Sequence, residues 1–302
     1  MPALDQLTAE PALFLDTRCS LGESPRWHDR EQRLYWVDID RNMMLRWDAA
    51  SGAIDHRGFD TPVACFAFRK TGGFILGMKD GCALLDTWDG KPTPFGAQPL
   101  AEKPRHRMND GRTDPAGRFW VGSLNGAKDV EDATLYRIGA DGDLRAIESG
   151  MTTCNGAAFS IDGRRFAHSD TPSHRVRLYD CDPAAGTISN NRTFHQFERG
   201  VGPGLGRPDG GSFDEEGCYW VALFDGWRIV RLSPAGELLA DIRLPIQRPT
   251  MIAFGGPDRR TAFVTTATTG LDEATLAAQP HAGAIFALRV EVPGVPEHDF
   301  AG

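Results

Sequence analysis

Polar and apolar positions along the chain fall into a phrase that recurs six times. Each copy opens on an aromatic or similar residue, passes through a turn containing Asp or Gly, often with a basic residue, and ends in an apolar strand. The copies begin at Trp27, Phe68, Thr113, Phe159, Phe213 and Phe254. Two of the clearest read Thr113-Asp114-Pro115-Ala116-Gly117-Arg118-Phe119-Trp120-Val121 and Phe213-Asp214-Glu215-Glu216-Gly217-Cys218-Tyr219-Trp220-Val221. Successive starts are 41, 45, 46, 54 and 41 residues apart, the period of a four-stranded propeller blade. Each phrase predicts a hairpin. Second turns such as Asp182-Pro183-Ala184-Ala185-Gly186 and Ser233-Pro234-Ala235-Gly236 leave room for about four short strands per unit.

One such unit has two apolar faces and cannot bury them alone, whereas six stacked in a ring can. The expectation is therefore an all-β, six-bladed β-propeller with four-stranded blades. It occupies residues 1–302 as a single domain, and Ala12-Leu13-Phe14-Leu15 pairs with the last blade to close the ring. A β-sandwich of short strands is the rival, and the six-fold repetition argues against it. Composition agrees: Gly 34 and Pro 20 of 302 residues mark a chain that turns often. A net charge of −8 argues against a nucleic-acid or anionic-membrane partner, since both need a basic face. No run is long enough to span a bilayer and no signal peptide is evident, so a cytoplasmic location is expected. The six cysteines lack CxxC spacing and read as free thiols.

Pseudo-symmetry points to a site. The position four residues ahead of each phrase holds Glu23, Ala64, Asn109, Asn155, Asp209 and Thr250. Four of the six are carboxylates or carboxamides. If this is the loop entering the innermost strand of each blade, the side chains meet at one channel mouth. Two carboxylates forced together repel, and one divalent cation removes the conflict. Hard oxygen donors suit Ca, Mg or Mn, and Zn and Fe also accept carboxylate. The alternative is that Asn109-Asp110-Gly111, Asn155-Gly156 and Asp209-Gly210 are only turns, but their common register across repeats favours a site.

The same residues carry a family resemblance. Leu21-Gly22-Glu23-Ser24-Pro25-Arg26-Trp27, Arg107-Met108-Asn109-Asp110-Gly111-Arg112, Cys154-Asn155-Gly156 and Arg207-Pro208-Asp209-Gly210-Gly211 resemble, in this order, motifs of the regucalcin (senescence marker protein)/gluconolactonase family of six-bladed metal-dependent lactonases. The resemblance covers about Leu15 to Leu288. It implies one divalent metal ion held by Glu23, Asn155 and Asp209. It also implies Asn109 beside the ion, contacting substrate or a bound water, and Arg107 binding substrate hydroxyls. The implied reaction is hydrolysis of a small-molecule sugar lactone to its acid; Asp209 is expected to act as general base as well as ligand, because a ligand carboxylate keeps a second oxygen free. Met108 and the insertion between the fourth and fifth blades depart from the family pattern, both on the expected substrate side.

Other candidates carry less. His106, three residues before Asn109, and His281, in a late loop, are candidates for substrate contact. The glycine-rich run from Gly200 to Gly206 lacks the ending of a phosphate loop and reads as a mobile rim loop. Asp38 and Asp40 read as strand-end and turn residues, and Trp36, Trp120 and Trp220 as packing. Two rival functions remain open. One is an arylesterase or organophosphate hydrolase on the same metal, and the other a non-enzymatic calcium-binding regulator. Oligomeric state is not readable from the pattern.

Overall fold

The computed structural model describes residues 3–302. Each repeat forms one sheet of four antiparallel strands, and there are six such sheets, so the propeller expectation holds. Blade 1 runs outward from Gly22–His28 through Arg33–Asp38 and Met43–Asp48 to Ile54–Gly58. The inner strands of blades 2 to 5 are Val63–Phe68, His106–Thr113, Cys154–Phe159 and Arg207–Phe213. Blade 6 supplies Pro249–Gly255, Thr261–Thr266 and Ile285–Arg289 and takes its outermost strand from Ala12–Leu15. Ala12 lies opposite Ala287 and Leu13 opposite Phe286, so the start of the chain closes the ring as expected.

The seams between blades explain the apolar strands. Successive side chains on a strand point to opposite faces, and in a propeller both faces are covered. In blade 1, Leu34 and Trp36 pack toward blade 6 and Tyr35 and Val37 toward blade 2. In blade 3, Phe119 and Val121 face blade 2 while Trp120 meets Phe159 and Phe166 of blade 4. In blade 5, Tyr219 faces blade 4 and Trp220 faces blade 6. Trp36, Trp120 and Trp220 are buried packing residues, as read from the sequence. The turn aspartates lock two of these hairpins. Asp114 accepts the Ala116 and Arg118 N–H groups and the Trp120 indole N–H, and Asp214 does the same for Glu216, Cys218 and Trp220.

The last dozen residues strap the ring on one face. Val295 donates its N–H to Phe213, Phe300 to Phe68, and Ala301 to Gly117, all at or beyond the far ends of inner strands. Glu297 reaches the channel, where its carboxylate lies 3.5 Å from Arg26 Nε and 3.2 Å from an Arg112 nitrogen. Asp110 completes a set of two cations and two anions, of which Arg26, Arg112 and Asp110 are buried and Glu297 is half-buried. One channel mouth is thus covered and the other stays open. The cysteines are all unpaired. Among the described residues no helix is long and apolar enough to cross a membrane.

Phe14 is buried in the closing seam, with its ring 4.9 Å from that of Trp47 and 5.3 Å from that of Phe263. Phe14→Ala should cost about 3–5 kcal/mol of unfolding free energy, the usual loss for a buried aromatic, measured by chemical denaturation. A loss under about 1 kcal/mol would contradict the closure role.

Candidate functional site

All six ring positions lie near the start of an inner strand, inside the strand and not in the loop entering it. In every blade the pairing of that strand with its neighbour slips beside or at this position. The slips fall between Glu23 and Arg26, Val63 and Cys65, Met108 and Gly111, Asn155 and Ala158, Pro208 and Gly211, and Pro249 and Met251. A bulge inserts an unpaired residue, bends the strand and re-aims a side chain. The glycines after the ring residues serve this geometry and not a turn. Gly156 has φ +64°, and a Cβ there would meet the Tyr219 hydroxyl at 2.4 Å. A Cβ on Gly210 would sit 2.3 Å from Met251 Cγ.

Glu23, Asn109, Asn155 and Asp209 open together on a cavity of about 370 Å³ at the uncovered mouth. Arg107 lines it as well. A larger groove of about 440 Å³ runs along the outer strands of blades 1 and 2, but its acids, Asp60 and Asp80, are exposed. Size therefore does not mark the site, and convergent buried polar groups do.

A chain of hydrogen bonds fixes which atoms face the cavity. The Thr171 hydroxyl donates to the Pro208 carbonyl at 2.8 Å, so it accepts from Asn155 Nδ2, also at 2.8 Å. That turns Asn155 Oδ1 the other way, where it accepts from Asn109 Nδ2 at 2.7 Å. Asn109 Nδ2 also donates to the Cys154 carbonyl, and Asn109 Oδ1 accepts from Arg107 at 2.6 Å. Each amide orientation follows from the previous bond. Both Asn109 amide hydrogens are spent, and one lone pair remains on its oxygen. Asn155 Oδ1 likewise keeps one lone pair for a further partner.

The carboxylates are the unusual feature. Asp209 is buried, and among the described residues no N–H or O–H donates to its side chain. Glu23 accepts only the N–H of Ser24, at 3.3 Å. Burial, reinforced by Asp110, pushes the Asp209 carboxyl up to about 8. Burial, reinforced by Asp209 and Asp110, holds Glu23 well above the ordinary carboxylate range. Two acids that resist ionising side by side, next to an amide oxygen with a free lone pair, are the donor set a divalent cation fits. Among the described residues no three His, Cys, Asp or Glu side chains converge, so an ion here would draw on the amide oxygen as its third protein ligand.

The two histidines do not join this group. His106 is buried with Nε2 2.9 Å from Asp132, and His281 is partly exposed with Nδ1 3.9 Å from Asp16; neither lines the cavity. Met108 is buried in the seam with blade 2. The run before Arg207 does not line the cavity either. It is fastened to the neighbouring turn, with Gly202 donating to Asp225 and Gly204 to Gly226. Both departures from the family pattern therefore lie off the cavity wall. Asp40, read as a turn residue, lines the cavity and accepts from Ser20 at 2.9 Å. Lys128, Arg207, Thr171 and Phe224 also line it and were not singled out from the sequence. Arg207 had a signal: it stands two residues before Asp209, as Arg107 stands two before Asn109. Leu21 and Thr153 occupy the same offset and also line the cavity. Lys128 comes from a turn between strands, where the repeat gives no register.

Fold and site together define a six-bladed propeller with a pocket at the hub lined by carboxyl and amide oxygens. Residues 21–268 match the sequence model of the SMP-30/gluconolactonase/LRE-like region. The 6-deoxy-6-sulfogluconolactonase of Pseudomonas putida is 41% identical over 282 residues, 93% of this chain and 95% of that one. Regucalcin of Gallus gallus is 35% identical over 294 residues, 94% of this chain and 96% of the relative. The crystal structure of regucalcin from Agrobacterium tumefaciens, described as a calcium-binding protein, superimposes with a TM-score of 0.90 at 25% identity, covering 97% of this chain and 99% of that one. The chain belongs to the SMP-30/gluconolactonase family.

The raised carboxyls carry a pH signature. A carboxyl that holds its proton more tightly folded than unfolded adds stability below its unfolded pKa, near 4, and loses that contribution as pH rises through its folded value. For Asp209 the window ends at about pH 8. Protein stripped of divalent ions should therefore melt at falling temperature from about pH 5 to 8. Added Ca²⁺ or Mn²⁺ should restore the midpoint by an increment that grows with pH. Asp209→Asn should flatten the slope; an unchanged slope in that variant would contradict the assignment.

Proposed function

We propose that the protein hydrolyses an aldonolactone, the cyclic ester of a sugar acid, to the open acid, with one divalent ion held by Glu23, Asn155 and Asp209. The observation that carries this is the pair of donor-poor acids, Glu23 and Asp209, beside an amide oxygen locked toward them. Relatives named for gluconolactone chemistry and for calcium binding support the substrate class and the ion. When bound, the ion supplies Lewis acidity toward the lactone carbonyl and counter-charge for the two carboxylates.

The chain's own residues do the rest. The Asp209 carboxylate takes a proton from the water that attacks the carbonyl carbon, since a ligand carboxylate keeps a second oxygen free. The ring C–O bond then breaks, and the leaving ring oxygen recovers the proton from Asp209 as a hydroxyl. Glu23 and Asn155 hold position. Arg107 spends one terminal nitrogen on Met108 and Asn109 and keeps its other N–H groups for substrate hydroxyls. Asn109, with both hydrogens spent, is a positioning residue that orients Asn155 and Arg107, with one lone pair left for substrate. Such orientation is worth a large part of a hydrolytic barrier.

Removal of divalent ions with EDTA and dialysis should abolish hydrolysis of glucono-1,5-lactone, followed by pH drop, and Ca²⁺, Mn²⁺ or Zn²⁺ should restore it. Asp209→Ala should abolish both ion binding and turnover. Asn109→Ala should lower kcat about 10²-fold while still binding the ion. Full activity after chelation contradicts the mechanism.

A further inference from the structure

Three cationic side chains line the cavity: Arg107, Lys128 and Arg207. Two are committed within the protein. Arg107 orients Asn109. Arg207 pairs with buried Asp225, and its guanidinium lies 5.2 Å from the Phe224 ring centroid. Lys128 is different. Among the described residues no carboxylate lies within 4.0 Å of its ammonium, and the side chain donates no hydrogen bond.

The turn that presents Lys128 is built for the purpose. Lys128 adopts φ +55°, a left-handed conformation costly for a residue with a Cβ. Four hydrogen bonds around buried Asn125 impose it. The Lys128 N–H donates to the Asn125 carbonyl at 3.0 Å, and the Ala127 N–H to Asn125 Oδ1 at 3.0 Å. Asn125 Nδ2 donates to Asp129 at 3.0 Å, and the Gly126 N–H to the Arg105 carbonyl at 2.7 Å. The ammonium so placed feels both Arg207 and Arg107. They add to partial burial in holding its pKa below the ordinary lysine value. With a divalent ion balancing Glu23 and Asp209, the three cations face only Asp40 and Asp225. With that ion bound, a protein of net charge −8 would carry a local excess of positive charge at the hub. Neutral hydroxyls do not need this: the free Arg107 N–H groups suffice to hold them, and a strongly hydrated ammonium without a counter-ion is a poor choice for that task.

We infer that Lys128, with Arg207 behind it, forms an anion subsite that selects lactones bearing a fixed negative group, a sulfonate, phosphate or carboxylate, away from the reacting carbonyl. The inference rests on the lactonase reading and adds the substrate class. The anion supplies the counter-charge that the pocket lacks, and its distance from the carbonyl sets the ring at the Glu23 and Asp209 end of the cavity.

The test compares kcat/KM for glucono-1,5-lactone, its 6-phosphate, its 6-sulfonate analogue and glucaro-1,4-lactone. The wild type should favour at least one anionic lactone over the neutral one by tenfold or more, and the three arms identify which anion. Lys128→Ala should reduce that preference at least tenfold, chiefly through KM, and Lys128→Arg should keep it within threefold. A merely structural role for Lys128 would lower both rates together and leave the preference intact. Equal rates on neutral and anionic lactones in the wild type, or an undiminished preference in Lys128→Ala, overturn the inference. Equilibrium binding of 6-phosphogluconate against gluconate, in the ion-loaded protein, reads the subsite without turnover. Binding that favours the phosphate and depends on Lys128, with no lactone hydrolysed, would defeat the lactonase reading and leave the subsite standing. Equal binding of the two acids would defeat the subsite.

Discussion

Glu23 and Asp209 stand nearly two hundred residues apart in the chain yet line one cavity, and among the described residues only the Ser24 N–H donates to either carboxyl. A buried carboxylate without donors or counter-charge costs several kcal/mol, and a fold does not tolerate two without a purpose. Their neighbours take up the burden only in part. Arg107, Arg207 and Lys128 lower the Asp209 carboxyl, but burial and Asp110 outweigh them. The remaining deficit of positive charge at the hub is what the proposed divalent ion would supply.

Much of the surrounding structure serves to hold that deficit in place. All six inner strands carry a bulge at this register, and four of the ring side chains, Glu23, Asn109, Asn155 and Asp209, open on one cavity, while Ala64 and Thr250 are buried off its wall. The relay from Pro208 through Thr171, Asn155 and Asn109 to Arg107 couples blades 3, 4 and 5 through single side-chain contacts. Behind the site, Arg26, Arg112, Asp110 and Glu297 form a balanced charge set, and Glu297 arrives on the C-terminal strap. The strap crosses the face opposite the cavity that Glu23 and Asp209 line. Rigidity of this kind suits a reaction whose barrier is lowered by fixed charges and fixed distances.

The ring was legible in the sequence because a propeller writes its symmetry along the chain. A constant offset of four residues from the start of each repeat brings Glu23, Asn109, Asn155 and Asp209 together as one set. The same arithmetic, moved back two residues, reaches Leu21, Arg107, Thr153 and Arg207. Lys128 and Asp40 were not legible because they come from turns between strands, whose lengths differ from blade to blade. His106 misled because adjacency in sequence was read as adjacency in space: on a strand, a residue three before Asn109 points to the opposite side, and it meets Asp132 instead. The bulges were invisible for a related reason. An Asx-Gly pair is equally a turn signal, and only the pairing register separates the two.

The most direct measurement is an anomalous-difference map from crystals of the active protein grown with Mn²⁺, collected above the manganese edge. One peak bounded by Glu23, Asn155 and Asp209 is the result this account predicts. A peak elsewhere, or an empty hub in protein that still opens gluconolactone after exhaustive chelation, would contradict it.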